Sequence, residues 1–362
     1  MSQWQGKTLM VMAGGTGGHI YPAMACAKQV LAEGGQVCWL GTRRGLESSI
    51  VPEAGLPIEY LDIAGLRGNG LLGWLKAPFR IIKAVGQAIS IYRRIKPDMV
   101  LGMGGFVTGP GGVAAKALSI PLVIHEQNAI PGLTNKLLSR IATRVLEAFP
   151  NSIASADECT GNPIRQDIID VDAPSQRPSF NPKTPKILVV GGSLGALAIN
   201  QVMPEVVKSL VAQGTDCQVK HQTGKHSYEQ TVADYQDKDI TAEVMPFIKD
   251  MKSAYTWADI VICRSGALTV SEIMSVGVAS ILVPYPHAVD DHQTENAGYL
   301  ERINAGEIIQ QTALDAAALT SKLAELINTN KLPEMAEKAW QARRTDATER
   351  VLFHCLESSN VK

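Results

Sequence analysis

The stretch LMVMAGGTGGH (residues 9–19) joins a short apolar run directly to a cluster of glycines. The stretch ILVVGGSLGA (residues 187–196) repeats that order in the other half of the chain. A glycine turn at the carboxyl end of a parallel strand lets backbone N–H groups approach an anion at the start of the next helix. Each half is therefore predicted to open with a strand, a glycine turn and a helix.

Both halves then alternate short apolar runs with longer helical patterns, which predicts parallel sheets covered on both faces. In the first half the predicted strands are 9–13, 37–40, 58–61, 99–101, 122–124 and 144–146. In the second half they are 187–190, 218–220, 240–244, 260–263 and 281–283. The simplest α/β architecture is two Rossmann-like domains whose parallel sheets face each other across a cleft.

The length of 362 residues fits two domains rather than one. Residues 170–185 are polar and proline-rich, so we take them as the linker or the first loop after it. We place the first domain at 1–163 and the second at 164–340. A helical pattern covers 333–356, and we expect a carboxyl-terminal helix at 341–362 to pack back on the first domain.

Composition and charge exclude several classes of protein. The formal net charge of −1 gives no overall field toward nucleic acid, so we expect no nucleic-acid partner. The six cysteines form no CxxC pair, which is typical of buried, reduced thiols in a cytosolic protein. The apolar run at 8–13 is too short for a signal peptide. No run approaches the roughly 18 to 20 apolar residues of a membrane-spanning helix.

Three glycine segments occur, at 14–18, 102–112 and 191–195. The first lacks the third glycine of a dinucleotide fingerprint, and the second predicted strand ends without an acidic residue, which disfavours NAD. The segment 224–226 lacks the hydroxyl that a P-loop needs, which disfavours ATP hydrolysis. The Asp-x-Asp at 170–172 falls in the linker. We therefore predict an anionic nucleotide that requires neither motif, with no cofactor and no metal site.

The second half carries the stronger candidate for a nucleotide-sugar site. A buried strand at 260–263 runs into a serine–glycine turn, and a helical pattern follows from Ala267. This places a helix N-terminus, with N–H groups for a phosphate, at the end of a strand. Glu272 could accept both hydroxyls of a ribose, or it could serve as a helix-dipole or capping residue. Gln293 and Asn296 share one helical face that suits sugar hydroxyls, although a solvated helix start has the same pattern.

Four motifs together resemble the MurG family, whose members are undecaprenyldiphospho-muramoylpentapeptide N-acetylglucosaminyltransferases with the two-domain GT-B fold. The motifs are GGTGGH at 14–19, HEQN at 125–128, GGSLGA at 191–196 and CRSGALTVSE at 263–272. The resemblance implies inverting transfer of GlcNAc from UDP-GlcNAc to the MurNAc 4-hydroxyl of a lipid-diphosphate-linked MurNAc-pentapeptide, a step of peptidoglycan synthesis. It assigns the second half to UDP-GlcNAc and the first half to the acceptor.

The resemblance also implies UDP-GlcNAc contacts residue by residue. Arg165 and Ser193 correspond to diphosphate contacts, and the backbone of Ile248 corresponds to the uracil contact. The sugar contact is assigned to Gln293 rather than to 288–292, because that loop differs among relatives. The phosphate and ribose segment consists of Ala267, Leu268, Thr269, Val270, Ser271 and Glu272. The residues of the first half that complete the donor site when the cleft closes are Gly15, Thr16, Gly17 and Asn128.

Inversion by direct displacement requires a base for the incoming hydroxyl and stabilisation of the departing UDP. We predict His19 as the base, because histidine titrates near neutral pH, and Glu126 is the rival base. His19 could instead cap its helix or bind acceptor phosphate. Arg165, Ser193 and the helix that begins near Ala267 would stabilise the leaving group without a metal.

The segment between Asp62 and Asp98 contains no acidic residue and interleaves basic with apolar side chains. The basic residues are Arg67, Lys76, Arg80, Lys83, Arg93, Arg94 and Lys96, and the apolar ones include Leu71, Leu72, Trp74, Leu75, Phe79, Ile81 and Ile82. Such a segment suits an anionic bilayer surface, although an ordinary helix with a solvated basic face has the same pattern. Given the lipid-linked acceptor, we expect peripheral attachment to the cytoplasmic face of the inner membrane, near other cell-wall synthesis and division proteins.

Three alternatives stay open at this point. A UDP-GlcNAc 2-epimerase on the same fold would use the donor alone, and it would have carboxylates in its cleft and no basic lipid patch. A non-catalytic nucleotide-sugar-binding subunit would lack a competent His19 loop. A glycosyltransferase with another lipid acceptor would keep all of the motifs.

Overall fold

The computed structural model describes residues 3–63, 70–192 and 195–360, and the chain folds as two compact units. The first unit contains Met1–Arg165 together with Thr345–Lys362, and the second contains Gln166–Arg344. Each unit is built on one parallel sheet with helices against it. The structure therefore confirms two Rossmann-like α/β units.

The sheet of the first unit has seven strands, which all run parallel. The strands are β1 (Thr8–Ala13), β2 (Gln36–Gly41), β3 (Ile58–Tyr60), β4 (Met99–Gly104), β5 (Leu122–Glu126), β6 (Arg144–Glu147) and β7 (Glu158–Cys159). Their order across the sheet is β3-β2-β1-β4-β5-β6-β7, so the order reverses between β1 and β4. Ligands of doubly wound sheets bind beyond the carboxyl ends of the strands at such a reversal.

Helices cover both faces of this sheet. They are α1 (Gly17–Ala32), α2 (Glu47–Glu53), α3 (Gly70–Ile95), α4 (Thr108–Ala117) and α5 (Leu133–Leu138). Along β1, Leu9 and Val11 enter one buried apolar cluster, whereas Met10 and Met12 enter a second one. Successive side chains of a strand point to opposite faces, so both faces of β1 are buried, as its continuous apolar run predicts.

The second unit repeats the plan with six parallel strands. The strands are β8 (Lys186–Val190), β9 (Gln218–Gln222), β10 (Glu243–Met245), β11 (Ile260–Cys263), β12 (Ala279–Leu282) and β13 (Gly306–Ile308). Their order is β10-β9-β8-β11-β12-β13, which reverses between β8 and β11. The helices are α6 (Gln166–Ile169), α7 (Leu197–Ala212), α8 (Tyr228–Gln236), α9 (Met251–Trp257), α10 (Ala267–Val276), α11 (His292–Arg302), α12 (Ala316–Asn328) and α13 (Leu332–Gln341).

The last helix, α14 (Ala347–Asn360), belongs to the first unit. Val351, Leu352 and Cys355 of this helix are buried in the same apolar cluster as Ile20 of α1. Polar contacts add to this packing, because the carboxylate of Glu158 accepts hydrogen bonds from Arg350 and from Nε2 of His354.

Some predicted boundaries are wrong. The strand expected to start at Ile240 starts at Glu243, because the N–H of Ile240 still closes α8 on the carbonyl of Tyr235. The pattern at 333–356 forms two helices, α13 and α14, and the last one starts at Ala347 rather than at 341. The short strands β7 and β13 were not predicted, since two or three residues carry no periodicity.

The cysteine side chains are buried or half-buried. All six cysteines are free thiols; Cys159 is half-buried and the others are buried. Burial raises the pKa of the Cys263 thiol to about 12. Over the part of the chain that the structure describes, no helix is both long and apolar enough to cross a membrane.

Candidate functional site

The loop after β1 presents His19 in the first turn of α1. The Nδ1 atom of His19 lies 3.1 Å from the carbonyl oxygen of Gly14 and 3.4 Å from the hydroxyl of Thr16. A carbonyl oxygen can only accept, so the contact with Gly14 assigns the proton to Nδ1 and the lone pair to Nε2. A neutral imidazole with its lone pair on Nε2 is the form that a general base needs.

The remaining loop residues shape the start of α1. Gly15 has a φ of +87°, a left-handed conformation that favours glycine. Its N–H donates to Oε2 of Glu47 at 3.0 Å. The carbonyl of Thr16 accepts from the N–H groups of His19 and Ile20, which starts the helix just before Gly17. Gly15 and Thr16 are exposed.

The loop after β4 lies against the same histidine. Gly104 has a φ of +106°, and a Cβ at this position would come within 2.9 Å of Nε2 of His19. The N–H of Gly14 donates to the carbonyl of Gly104 at 3.3 Å, and the Thr108 hydroxyl donates to that carbonyl at 2.8 Å. The two loops at the sheet reversal are thus joined directly, and His19 lies between them.

Glu126, at the end of β5, is 2% exposed and accepts several hydrogen bonds. Its Oε1 accepts from the backbone N–H of Asn128 at 2.9 Å and from the side-chain amide of Asn128 at 3.3 Å. Its Oε2 accepts from Gly132 N at 3.1 Å and from Asn135 Nδ2 at 2.9 Å. The carboxylate therefore organises the loop that carries Asn128, and its oxygens already have donors.

His125 is a buried structural histidine. Its Nε2 donates to the carbonyl of Gly161 at 2.9 Å, and its Nδ1 accepts from Gln127 Nε2 at 3.0 Å. Burial lowers the pKa of His125 to about 4, so the ring is neutral near neutral pH. It fixes the segment that leads to Arg165, which is half-buried at the last position of this part of the first unit.

In the second unit, the glycine loop follows β8 at the sheet reversal. The N–H of Gly191 donates to the carbonyl of Gln222 at 3.0 Å. Gly195 has a φ of +81°, and a Cβ there would lie 2.3 Å from the carbonyl of Thr223. These contacts require glycine at 195 and hold the loop against β9. Ser193 lies outside the described residues.

The N-terminus of α10 lies beside this loop in the sheet order, at the end of β11. Gly266 is extended, with φ −61° and ψ 143°, and Ala267 begins the helix. The N–H groups of Ala267, Leu268 and Thr269 belong to a first helical turn, which has no intrahelical acceptors for them. Asn296 Nδ2 donates to the carbonyl of Ser265 at 3.2 Å and so fixes the turn. The arrangement suits a phosphate.

Further along α10, Glu272 is 9% exposed, and its Oε2 accepts from the hydroxyl of Tyr255 at 3.0 Å. Tyr255 lies on α9 and is itself buried. Ser271 donates its hydroxyl to the carbonyl of Ala267 at 3.0 Å, and Val270 is fully buried. The side chain of Val270 therefore belongs to the core.

Two residues that were predicted to contact the donor already form hydrogen bonds within the protein. The backbone N–H of Ile248 donates to Oε1 of Gln222 at 3.0 Å. Oε1 of Gln293 accepts from the N–H of Tyr285 at 2.9 Å. Gln293 would therefore offer its amide N–H groups to a sugar. The N–H of Ile248 would reach a nucleobase only after the side chain of Gln222 turns away.

A cavity of about 640 Å³ lies at the other end of the second sheet. Lys186, Asp259 and Val278, which line it, stand at or just before the amino ends of β8, β11 and β12. It is thus separate from the carboxyl ends of the strands, where ligands of this kind of sheet bind.

Sequence reasoning missed Glu47, Gly104 and Tyr255. Glu47 stands 32 residues from Gly15, and Tyr255 stands 17 residues from Glu272. The sequence carries no local signal for these pairs. Only the GMGG segment at 102–105, as one of three glycine segments, pointed toward Gly104.

Comparison with known proteins covers most of the chain. The model of the glycosyltransferase family 28 N-terminal domain matches residues 9–147, and that of the C-terminal domain matches residues 186–351. A relative from Shewanella amazonensis is 51% identical over 99% of this chain and 99% of its own length. One from Ectopseudomonas mendocina is 49% identical over 96% of this chain and 98% of its own. Both are named UDP-N-acetylglucosamine–N-acetylmuramyl-(pentapeptide) pyrophosphoryl-undecaprenol N-acetylglucosamine transferase.

Solved structures give the same result. The crystal structure of MurG from Acinetobacter baumannii has a TM-score of 0.85 and 42% identity, over 97% of this chain and 99% of that one. The glycosyltransferase VinC, solved with dTDP, has a TM-score of 0.66 and 15% identity, over 98% of this chain and 100% of that one. At that identity the likeness concerns the fold alone.

Proposed function

The chain belongs to glycosyltransferase family 28 and, within it, to the MurG family, and from this premise we propose its reaction. It transfers GlcNAc from UDP-GlcNAc to the MurNAc 4-hydroxyl of undecaprenyl-diphosphate-linked MurNAc-pentapeptide, in peptidoglycan synthesis. The observation that carries this proposal is 51% identity over 99% of the chain with a relative named for that reaction. The comparisons give no support to the epimerase alternative.

His19 is the base of this reaction. The Gly14 carbonyl holds the proton on Nδ1, which leaves the lone pair of Nε2 for the hydroxyl proton of the acceptor. The acceptor oxygen then attacks the anomeric carbon, and the bond to the UDP oxygen breaks with its electron pair on UDP. Glu126, the rival base, is a positioning residue for Asn128, because four donors already surround its carboxylate.

The N-terminus of α10 supports the departing diphosphate. Three backbone N–H groups and the helix dipole favour the negative charge that develops there. Arg165 and Ser193 add a cation and a hydroxyl. None of these groups needs a metal, so we expect activity to persist with a chelator; loss that manganese restores would contradict this.

The other donor contacts follow from the second unit. Glu272 accepts from the ribose hydroxyls, since a carboxylate offers about four acceptor sites and the Tyr255 hydroxyl holds its Oε2 in place. Gln293 donates its amide N–H to the GlcNAc hydroxyls, and the backbone of Ile248 meets uracil. Gly15, Thr16, Gly17 and Asn128 are the donor contacts proposed for the first unit.

The exposed face of α3 attaches the protein to an anionic membrane. Phe79 and Ile82 are 77% and 69% exposed, and Arg80 and Lys83 are exposed beside them. Apolar side chains flanked by cations bind such a surface by both insertion and charge. Arg67 lies outside the described residues. Because the proposed reaction uses a nucleotide-sugar donor and a lipid-linked acceptor, we propose that this surface attaches to the cytoplasmic face of the inner membrane.

The test of the reaction is UDP release from UDP-GlcNAc with and without the lipid-linked MurNAc-pentapeptide. We expect release only with the acceptor, and a lipid product heavier by one GlcNAc. Release or sugar isomerisation without acceptor would overturn the proposal. In the same assay His19→Ala should lower kcat about a hundredfold or more while UDP-GlcNAc affinity is retained; a fully active variant would exclude His19 as base.

A further inference from the structure

Glu47 is a fully buried carboxylate, with 0% of its surface exposed, in the first turn of α2. Its Oε2 accepts from the N–H of Gly15 at 3.0 Å. Its Oε1 accepts from the backbone N–H of Thr42 at 2.9 Å and from the Thr42 hydroxyl at 2.8 Å. All three partners donate, which is the pattern that an ionised carboxylate satisfies.

The surrounding backbone is fitted closely to this side chain. A Cβ at Gly14 would lie 2.7 Å from Oε1 of Glu47, and a Cβ at Gly41 would lie 2.7 Å from its Cγ. A Cβ at Gly45 would lie 1.9 Å from Oε2. Because these three positions are glycines, the turn after β1, the end of β2 and the loop before α2 can all pack against one carboxylate. A buried charge held this tightly restricts the loop that it contacts.

The contact with Gly15 and the contact with His19 share one peptide group. Glu47 accepts from the Gly15 N–H, and His19 Nδ1 donates to the Gly14 carbonyl, which is the other end of the same amide. In a trans peptide the N–H and the C=O point in opposite directions, so the carboxylate and the imidazole lie on opposite sides of it. The chain of contacts runs from carboxylate to peptide to imidazole.

We propose that Glu47 is a positioning residue for His19 and acts through the Gly14–Gly15 peptide. The carboxylate orients and polarises the amide, because hydrogen bonds in a chain strengthen one another. The polarised Gly14 carbonyl then holds the proton on Nδ1 and stabilises the imidazolium that forms when Nε2 takes the acceptor proton. This is the role of the third member of a catalytic triad, with a peptide between the acid and the histidine.

The catalytic role of Glu47 rests on the proposed function, whereas the hydrogen bonds that join it to His19 do not. No proton reaches Glu47: the hydroxyl proton of the acceptor moves to Nε2, and Nδ1 keeps its own. The competing contact is the Thr16 hydroxyl, which could donate to Nδ1 if Nε2 carried the proton. The two arrangements differ in tautomer and can be distinguished without substrate.

The first experiment is ¹⁵N NMR of the histidine ring nitrogens in the ¹⁵N-histidine-labelled full chain, with His19→Gln to assign the signal. We expect the neutral ring of His19 to be the Nδ1–H tautomer. The Nε2–H tautomer in the wild-type protein would overturn the relay, whether or not the chain is a transferase. In Glu47→Gln we expect the signal to move toward a mixture of the two tautomers.

The second experiment is a double-mutant cycle on kcat. Glu47→Gln should lower kcat about ten- to a hundredfold in the wild-type background, with both KM values within about twofold. In the His19→Ala background the same change should have little further effect, because the residue it acts on is gone. An equal loss in both backgrounds would mean a structural role only. Glu53→Gln, an exposed change on the same helix, is the matched control.

Discussion

Gly104 and His19 are in such close contact that no side chain fits between them: a Cβ on Gly104 would lie 2.8 Å from Cδ2 and 2.9 Å from Nε2 of the ring. The φ of Gly104 is +106°, outside the range of most other residues. Because Gly104 has no side chain, it leaves room for Nε2 of His19, the base nitrogen of the proposed reaction.

Gly104→Ala should displace His19 without touching the donor contacts proposed for the second unit. We expect kcat to fall about a hundredfold, as when a general base is lost, while the affinity for UDP-GlcNAc stays near wild type. Steady-state kinetics and calorimetric titration of UDP-GlcNAc measure the two effects.

The control for Gly104→Ala is Gly86→Ala on α3, where a Cβ would meet nothing within 4 Å. Alanine is the better helix former, so this change should leave kcat unaltered. A Gly104→Ala enzyme with normal kcat would show that the ring position does not matter to the reaction.

Tyr255→Phe removes the hydroxyl that donates to Glu272. Because a carboxylate that has lost this donor is oriented less well toward the ribose of the proposed donor site, we expect the KM for UDP-GlcNAc to rise about three- to tenfold with kcat nearly unchanged. With a donor that lacks the ribose 2′- and 3′-hydroxyls, the same substitution should have no effect on KM. An equal rise with both donors would contradict the ribose assignment, and Tyr60→Phe in the other unit is the control.

Glu158→Gln should weaken the attachment of α14 in a pH-dependent way. Hydrogen bonds and charge from Arg350 and His354 lower the pKa of Glu158 from 4.5 to about 2. A lowered pKa stabilises the folded state above the unfolded pKa, and this contribution is lost as pH falls from about 4.5 to about 2. The side chains of Glu158 and Arg350 are partly exposed. We therefore expect Glu158→Gln to lower the free energy of unfolding by about 1 kcal/mol at pH 6, and this difference should disappear toward pH 2.

Urea unfolding of the Glu158→Gln and wild-type proteins across this pH range measures that difference. Glu53→Gln, an exposed change in the same unit, should show little difference at any pH. A gap between wild type and Glu158→Gln that stays constant down to pH 2 would mean that the carboxylate charge is not what stabilises α14.

Charge reversal on α3 should weaken binding to anionic vesicles. Arg80→Glu should lower the affinity about tenfold or more at low salt, because each cation near such a surface contributes about 1 kcal/mol. Lys83→Glu should have the smaller effect, since Lys83 already pairs with Asp62 at 3.1 Å. Vesicle co-sedimentation measures both, and Lys28→Glu on α1 is the control.

Apolar substitutions on the same helix separate insertion from charge. Phe79→Ser should weaken vesicle binding at high salt as well as low salt, because burial of an apolar side chain is not screened. If both Arg80→Glu and Phe79→Ser bind vesicles like the wild type, α3 is not the membrane surface.

The local sequence pattern was sufficient to predict the order of strands, turns and helices. The apolar runs at 9–13 and 187–190 and the glycines after them predicted a strand, a turn and a helix in each half, which the structure contains. The start of α10 at Ala267 was also predicted, because strand burial, turn residues and helical spacing act over a few neighbouring positions. The sequence alone therefore determined two parallel α/β units and the turns that follow their first strands.

Tertiary structure alone decided which distant side chains hold those segments. Strand order brings Glu47 to Gly15 and Gly104 to His19, and it brings Glu158 to Arg350 across 192 positions. The same folding places Asp62 on Lys83, in a segment whose composition had indicated an unopposed basic face. The physical reason is that sheet order and close packing determine which residues meet. The periodicity of apolar residues in the sequence predicts only the face of a strand or helix on which a residue lies.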